Sequence, residues 1–224
     1  MNRVQQAAEE VLAGRLIVLP TDTVYGIGTR PDRPDATGRL FDAKRRPREL
    51  TLPVLVASEA DAASVGILDE RARALAERFW PGPLTVVVPR TGRSRDWDLG
   101  GDAGTVGLRR PRHLLALAVL ERTGPLAVTS ANLSGAPTPS TCDELVELFG
   151  DAVSVYLCQD EPHPGVPSTV VDLAHGEPVV LRSGAVPKEE ILKALSEIAS
   201  GSGRPDPGDM WMGHTQWTKA DPES

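Results

Sequence analysis

Five short segments concentrate residues that could do chemistry. Pro20-Thr21-Asp22-Thr23-Val24-Tyr25-Gly26-Ile27-Gly28 places hydroxyls and a carboxylate before closely spaced glycines, directly after an apolar run. At a strand end such a stretch can line a small polar pocket, or it can be an ordinary turn with a buried Tyr. Lys44-Arg45-Arg46-Pro47 sets three cations in a row. They could grip phosphates, Arg by bidentate contacts and Lys as a point charge; a solvated helix end, favoured by the C-terminal dipole, is the alternative. In Val128-Thr129-Ser130-Ala131-Asn132-Leu133-Ser134-Gly135, small hydroxyl residues surround an Asn and a Gly closes the loop. Such a loop can present donors to an anion, as phosphate cradles do. It is neither a Walker A nor a G-x-G-x-x-G loop, and the chain has no G-x-S-x-G elbow. Pro167-Ser168-Thr169-Val170-Val171-Asp172 and Leu181-Arg182-Ser183-Gly184 put a Ser/Thr pair at one strand start and an Arg at the end of the next. They could face one cleft, or form a plain hairpin. His113, His163, His175 and His214 show no ligand spacing, so no protein-held metal is expected.

The elements that must position these residues follow from periodicity. Val4, Ala7, Ala8, Val11 and Leu12 recur at helical spacing before Gly14. LIVL (16–19) reads as a buried strand, and a helical stretch is expected to include Arg39 to Lys44 and to end near Pro47. LPVLVA (52–57), LTVVV (84–88), TVGLR (105–109), LAVT (126–129), VSVYL (153–157), STVVDL (168–173) and VVLR (179–182) supply further strands. Helices are expected after Ser58, over Leu68–Phe79, after TVGLR to about Arg122, after a Thr141/Glu144 capping box, and around Ile191, Leu192, Leu195 and Ile198. The irregular alternation predicts a single α/β domain built on a twisted, mixed sheet flanked by helices, not a regular doubly wound fold.

A chain of 224 residues with 40% apolar content suits one such domain. The formal charge, 24 − 31 = −7, argues against a dedicated nucleic-acid binder, although basic runs at 39–48 and 109–112 leave room for a local cationic cleft. Cys142 and Cys158 form no Cys-x-x-Cys pair, so neither a disulfide framework nor a zinc site is expected. No apolar run approaches the roughly 20 residues of a bilayer span, and the N-terminus lacks an apolar signal core; a soluble cytoplasmic protein is the default. Residues 1–199 form the expected catalytic domain. The aperiodic 200–224 segment, with Trp211 and Trp217, is expected to be a flexible tail.

Taken in order, PTDTVYGIG, KRRP, FWPGPLTVVV (79–88), VGLRRPRH (106–113), TSANLSG, PSTVVD and LRSGA resemble the YrdC/Sua5 family, in its short single-domain form. The resemblance implies an open twisted sheet with a positively charged cleft. It also implies synthesis of L-threonylcarbamoyladenylate and pyrophosphate from ATP, L-threonine and bicarbonate, for threonylcarbamoylation of tRNA adenosine. Carried over by motif, Lys44 and Arg46 would act catalytically on the ATP phosphates. Ser130, Asn132, Ser134, Ser168 and Arg182 would hold the nucleotide, and Thr21, Thr23 and Arg109 the threonine. Mg2+ would arrive with ATP, and tRNA threonylcarbamoyl-transfer proteins would be the partners. Two departures stand out: Thr51-Leu52 and Leu55 replace a Pro-Leu and a later His, and Cys158–Pro162 lacks a Gly-rich turn. Two other readings compete. One is carbamoyladenylate formation from carbamoyl phosphate. The other is an RNA-binding ribosome-maturation factor with weak RNA affinity.

Overall fold

The computed structural model describes residues 2–159 and 165–200. Helix α1 (Arg3–Leu12) is capped by Asn2, whose side chain accepts from the Val4 N–H, and buries Val4, Ala7, Ala8 and Val11. The chain then enters β1 (Leu16–Leu19), buried throughout, and returns antiparallel as β2 (Gly26–Thr29). Sequence reasoning places no strand at β2, because its glycines read as a turn. They are there for close approach to the neighbouring strand β6 (Leu126–Ser130). A Cβ on Gly28 would lie 2.6 Å from Val128 Cγ2 and 2.7 Å from the Ala127 carbonyl oxygen.

Helix α2 (Pro34–Lys44) contains the expected Arg39–Lys44 stretch and has Pro34 in its first turn, where its missing N–H costs nothing. Strand β3 is only Val54–Leu55 instead of 52–57. Pro53 has no N–H to give a ladder, and the Leu52 and Val56 amides donate instead to the Leu99 and Arg109 carbonyls at 2.8 and 3.0 Å. Next come α3 (Glu59–Val65), capped by Ser58, α4 (Glu70–Phe79), β4 (Leu84–Pro89), β5 (Thr105–Arg109) and α5 (Leu114–Thr123). After β6, α6 (Cys142–Phe149) opens with the expected Thr141–Glu144 capping box. Strands β7 (Val153–Tyr156), β8 (Thr169–Asp172) and β9 (Val179–Arg182) and helix α7 (Lys188–Ala199) follow.

The nine strands form one sheet in the order β7-β1-β2-β6-β3-β5-β4-β8-β9. Pairings β1/β7, β3/β5 and β4/β8 are parallel and the rest antiparallel, so the expected mixed open sheet is observed. Alternation across the pleat decides what each face does. On one face Val86, Val88, Val106, Leu108 and Val171 join Leu40, Phe41, Leu75 and Ile191 in a continuous core under α2, α3, α4, α6 and α7. On the other, α1 and α5 cover only part of the sheet, packing Val11, Val119 and Leu120 on Ile17, Leu19 and Leu126. Beyond them that face stays open. There β4 and β5 turn out Thr85, Val87, Thr105, Gly107 and Arg109, and β8 adds Val170 and Asp172.

One expectation is overturned. Cys142 and Cys158 are joined in a disulfide across 16 residues, with Cα atoms 5.7 Å apart. The α6 start and the exit of β7 bring them together, a proximity that their sequence spacing does not reveal. Residues 201–224, with Trp211, His214 and Trp217, lie outside the described residues. So do Asp160–Pro164, which include His163 and part of the Cys158–Pro162 segment.

Candidate functional site

The uncovered half of the sheet forms the floor of a cavity of about 550 Å³ that crosses β2, β6, β3, β5, β4, β8 and β9. Its walls bring together segments far apart in sequence. Thr21, Thr23, Arg46, Arg109, Ser130, Ser168 and Arg182 line it. The other sequence-predicted residues, Lys44, Asn132 and Ser134, do not line it; Lys44 and Asn132 are buried and Ser134 is half-buried.

Lys44, the last residue of α2, is 1% exposed. Its Nζ donates to the Ser130 carbonyl, to the Asn132 carbonyl at 2.5 Å and to Asn132 Oδ1 at 3.4 Å, while the Ser134 N–H donates to the Lys44 carbonyl at 3.0 Å. Helix end and loop thus brace one another. Asn132 completes the brace by donating from Nδ2 to the Leu133 and Ala136 carbonyls at 2.8 and 2.6 Å. Burial, with the nearby Arg46 charge second, lowers the Lys44 pKa to about 7. Arg45 adopts a left-handed conformation, φ 48°, which ends α2 and turns the chain so that Arg46 reaches the cavity. Arg46 is held there through the Leu50 and Thr51 carbonyls at 3.1 and 3.0 Å.

Across the floor, Arg182 donates to the Ser168 carbonyl from Nε (3.0 Å) and Nη2 (2.8 Å), and from Nη2 to Ser168 Oγ (2.9 Å). Ser168 Oγ lies 3.0 Å from Thr85 Oγ1. The LRSG glycine permits this closure, since a Cβ on Gly184 would fall 2.4 Å from the Pro167 carbonyl oxygen. Arg109 is 6% exposed. It donates to Gly82 O (3.0 Å), Thr23 Oγ1 (2.9 Å) and Asp22 Oδ1 (2.6 Å).

The three arginines sense one another. Desolvation lowers the pKa of each. Arg182 adds like-charge repulsion to both Arg46 and Arg109, opposed only at Arg109 by Asp22. Partly buried cations that repel across a concave floor form a site for a multiply charged anion. At the far end the wall changes sign. His175 Nδ1 is 2.8 Å from Asp172 Oδ2, and its Nε2 is 3.4 Å from Asp102 Oδ2; the two carboxylates raise the His175 pKa.

Sequence reasoning missed Thr85, Thr105 and Gly107 as lining residues and Asp22 as the partner of Arg109. Polar or small residues at alternate positions of LTVVV and TVGLR were the available signal. Thr51 and Leu55, which the resemblance singled out as departures, both line the cavity.

An open mixed sheet carrying a cationic cavity defines an α/β protein built to bind a polyanion. The Sua5/YciO/YrdC family, described as telomere recombination, matches residues 9–184. The chain belongs to that family. A Mycobacterium tuberculosis protein provisionally named threonylcarbamoyl-AMP synthase is 42% identical over 198 residues, 88% of this chain and 91% of that protein. The Pyrococcus abyssi threonylcarbamoyl-AMP synthase is 39% identical over 88% of this chain and 58% of its own length. The crystal structure of P. abyssi Sua5 complexed with L-threonine superposes with a TM-score of 0.79 at 35% identity, covering 88% of this chain and 59% of that one.

Proposed function

We propose that the chain joins ATP, L-threonine and bicarbonate into threonylcarbamoyl-AMP with release of pyrophosphate. The observation that carries this reading is the convergence of Arg46, Arg109 and Arg182 on one cavity with Asp22 as the sole carboxylate bound to them among the described residues. The names of the relatives and the threonine complex of the Pyrococcus protein support the choice of substrates.

The chemistry suits the charges. The threonine amine attacks the carbon of bicarbonate, forming the N–C bond of a carbamate as water leaves. A carbamate oxygen then attacks the α-phosphorus in line with the departing pyrophosphate, which takes the electron pair of the Pα–O bond. Both steps bring anions together, so fixed cations lower the repulsion and stabilise the charge on the leaving group. In this reading Arg46 and Arg182 grip the phosphates, and Ser130 and Ser168 meet the nucleotide. Lys44, Asn132 and Ser134 act from behind, by holding the Ser130 loop in place. Arg109 and Thr23 face the threonine. Asp22, the carboxylate beside the arginines, is taken up by Arg109 and the Arg112 N–H, so Mg2+ is expected to arrive with the triphosphate, held by its oxygens and water.

The product would pass to the proteins that transfer threonylcarbamoyl to tRNA, in the cytoplasm. Among the described residues no helix is long and apolar enough to cross a membrane. The test is pyrophosphate release from ATP and bicarbonate with threonine, with serine, and with carbamoyl phosphate replacing threonine and bicarbonate. Threonine-dependent release is expected. Release with carbamoyl phosphate alone would move the chain to carbamoyladenylate formation, and no release combined with steeply salt-dependent RNA binding would favour the RNA-binding alternative.

A further inference from the structure

We infer that Asp22 is a positioning residue of the amino-acid end, setting the guanidinium of Arg109 beside a hydroxyl chain on the cavity wall. This deepens the synthase reading and rests on it. Asp22 and Arg109 form an ion pair at 2.6 Å, with both side chains 7% exposed. The same Asp22 oxygen accepts from the Arg112 N–H at 2.8 Å, so the carboxylate is tied to the backbone of the segment that follows β5. Its other oxygen, Oδ2, is buried with no hydrogen-bond partner among the described residues. Burying a carboxylate with one oxygen unpaired is a poor way to anchor a turn, where Asn or Ser would serve at less cost. The position uses the negative charge.

That charge acts in two ways. First, Arg109 lies among cations, and Arg182 works against its ionised form while Asp22 supports it. Second, donor arithmetic fixes the orientation. A guanidinium has five N–H donors; Gly82, Thr23 and Asp22 take one each, which leaves one on each terminal nitrogen. A planar carboxylate takes two such donors, one from each terminal nitrogen. Thr23 Oγ1, accepting from Arg109, lies 3.0 Å from Thr21 Oγ1. The Thr21 hydroxyl must donate to the Val24 carbonyl, 2.7 Å away, because that oxygen can only accept. Thr23 therefore spends its proton on Thr21, and the chain runs Arg109 to Thr23 to Thr21 to Val24. Thr21 already accepts from the Thr23 N–H at 3.2 Å, so its lone pairs are filled. Thr23 keeps one lone pair for a donor, such as the amine or hydroxyl of the amino acid. Asp22 thus sets the two donors that Arg109 offers on this wall, beside the one acceptor that the Val24 carbonyl leaves on Thr23.

The test compares the full-length chain with Asp22→Asn, Arg109→Gln and the double variant. Steady-state pyrophosphate release is measured at varied threonine and varied ATP, and inorganic pyrophosphate binding by calorimetry. Asp22→Asn should raise the KM for threonine at least tenfold and change the KM for ATP less than threefold. It should bind pyrophosphate as tightly as the wild type or more tightly, because it removes the negative charge paired with Arg109. In the double variant, kcat/KM for threonine should match that of Arg109→Gln alone. A parallel loss of threonine and pyrophosphate affinity would mark Asp22 as a mere structural support and overturn the inference. Multiplying effects in the double variant would overturn it as well. If Asp22→Asn does not fold, the double variant, which leaves no unpaired buried charge, still decides the matter against Arg109→Gln. Absence of threonine-dependent turnover in the wild type would overturn the parent reading itself, before any variant is compared.

Discussion

Reduction of the Cys142–Cys158 bridge should lower the melting temperature of the chain by several degrees while leaving its core packing intact. The bridge spans 16 residues, running from the start of α6 through β7 to the segment beyond it. In the chain-entropy relation, closing a loop of this length removes about 10 cal/mol/K from the unfolded ensemble, or about 3 kcal/mol at 25 °C. For a domain of this size each kcal/mol corresponds to about 2–4 °C, so reduction should shift the midpoint by about 6–12 °C. Calorimetric melts with and without reductant, beside a Cys142→Ser/Cys158→Ser variant, measure the shift. Thiol labelling with mass readout establishes that the bridge is present before reduction and absent after. Both cysteines are partly exposed, so reductant can reach them. Unbridged cysteines in the untreated protein, or a shift below about 2 °C after complete reduction, would refute the reasoning. A second consequence is local. Gln159, next to Cys158, donates its N–H to Tyr25 Oη at 3.1 Å and contacts His113 Nε2 at 3.2 Å, so the bridge also steadies the segment leaving β7 against the amino-acid end of the cavity.

Further predictions concern the cavity and the sheet beneath it. Lys44→Ala should cost more turnover than His113→Ala, because Lys44 holds the Ser130–Ser134 loop while His113 lies off the cavity wall; equal turnover would remove Lys44 from its role. With the Lys44 pKa at about 7, raising the pH from 6 to 8 discharges it, so ATP should bind more weakly at pH 8 although its terminal phosphate is more ionised. Lys44→Ala should reverse that slope in calorimetric titrations. Stability moves the other way: between about 7 and the unfolded value of 10.5 the unfolded chain holds a proton that the folded chain lacks, so the Lys44 contribution to stability rises with pH. Arg182→Lys cannot reproduce the paired Ser168 contacts, and should raise the KM for ATP about tenfold, or about 1.4 kcal/mol, with the KM for threonine within about twofold. Gly28→Ala, which drives a Cβ into the Ala127 carbonyl, should destabilise the chain by about 2–3 kcal/mol in urea unfolding.

Much of the fold was legible because the strands announce themselves as apolar runs and the helices by spacing and caps. Asn2, Ser58 and Thr141 all cap as their side chains suggest. What sequence hid was pairing. β2 is invisible locally because its glycines serve the partner strand β6, 98 residues or more along the chain, as the approaches of Gly26 and Gly28 to Val128 illustrate. The disulfide is hidden for the same reason: its two ends meet only once α6 has turned back on β7. The truncation of β3 was partly readable from Pro53, but the carbonyls of Leu99 and Arg109 that satisfy its flanks were not.

The candidate site separates motif from mechanism. KRRP and TSANLSG look like phosphate-gripping segments, yet of the cations of the first only Arg46 lines the cavity, while Lys44 turns inward. Helical spacing carried that information: Leu40 and Lys44 are four apart, and both lie on the buried face of α2 beside Phe41. A lysine in register with a core leucine must find acceptors inside the protein, and the carbonyls of Ser130 and Asn132 supply them. The loop is therefore charged from beneath, and its cavity-lining Ser130 hydroxyl is oriented by donating to Asn132 Oδ1. The same separation holds at the other end, where Arg109 reaches the cavity and Asp22 stands behind it. Each end of the cavity thus has a wall residue and a charged residue behind the wall. Only the wall residues have to match the substrate, whereas the ones behind must match the wall. Substitutions behind the wall should then alter affinity for one substrate at a time, according to which wall residue each one supports.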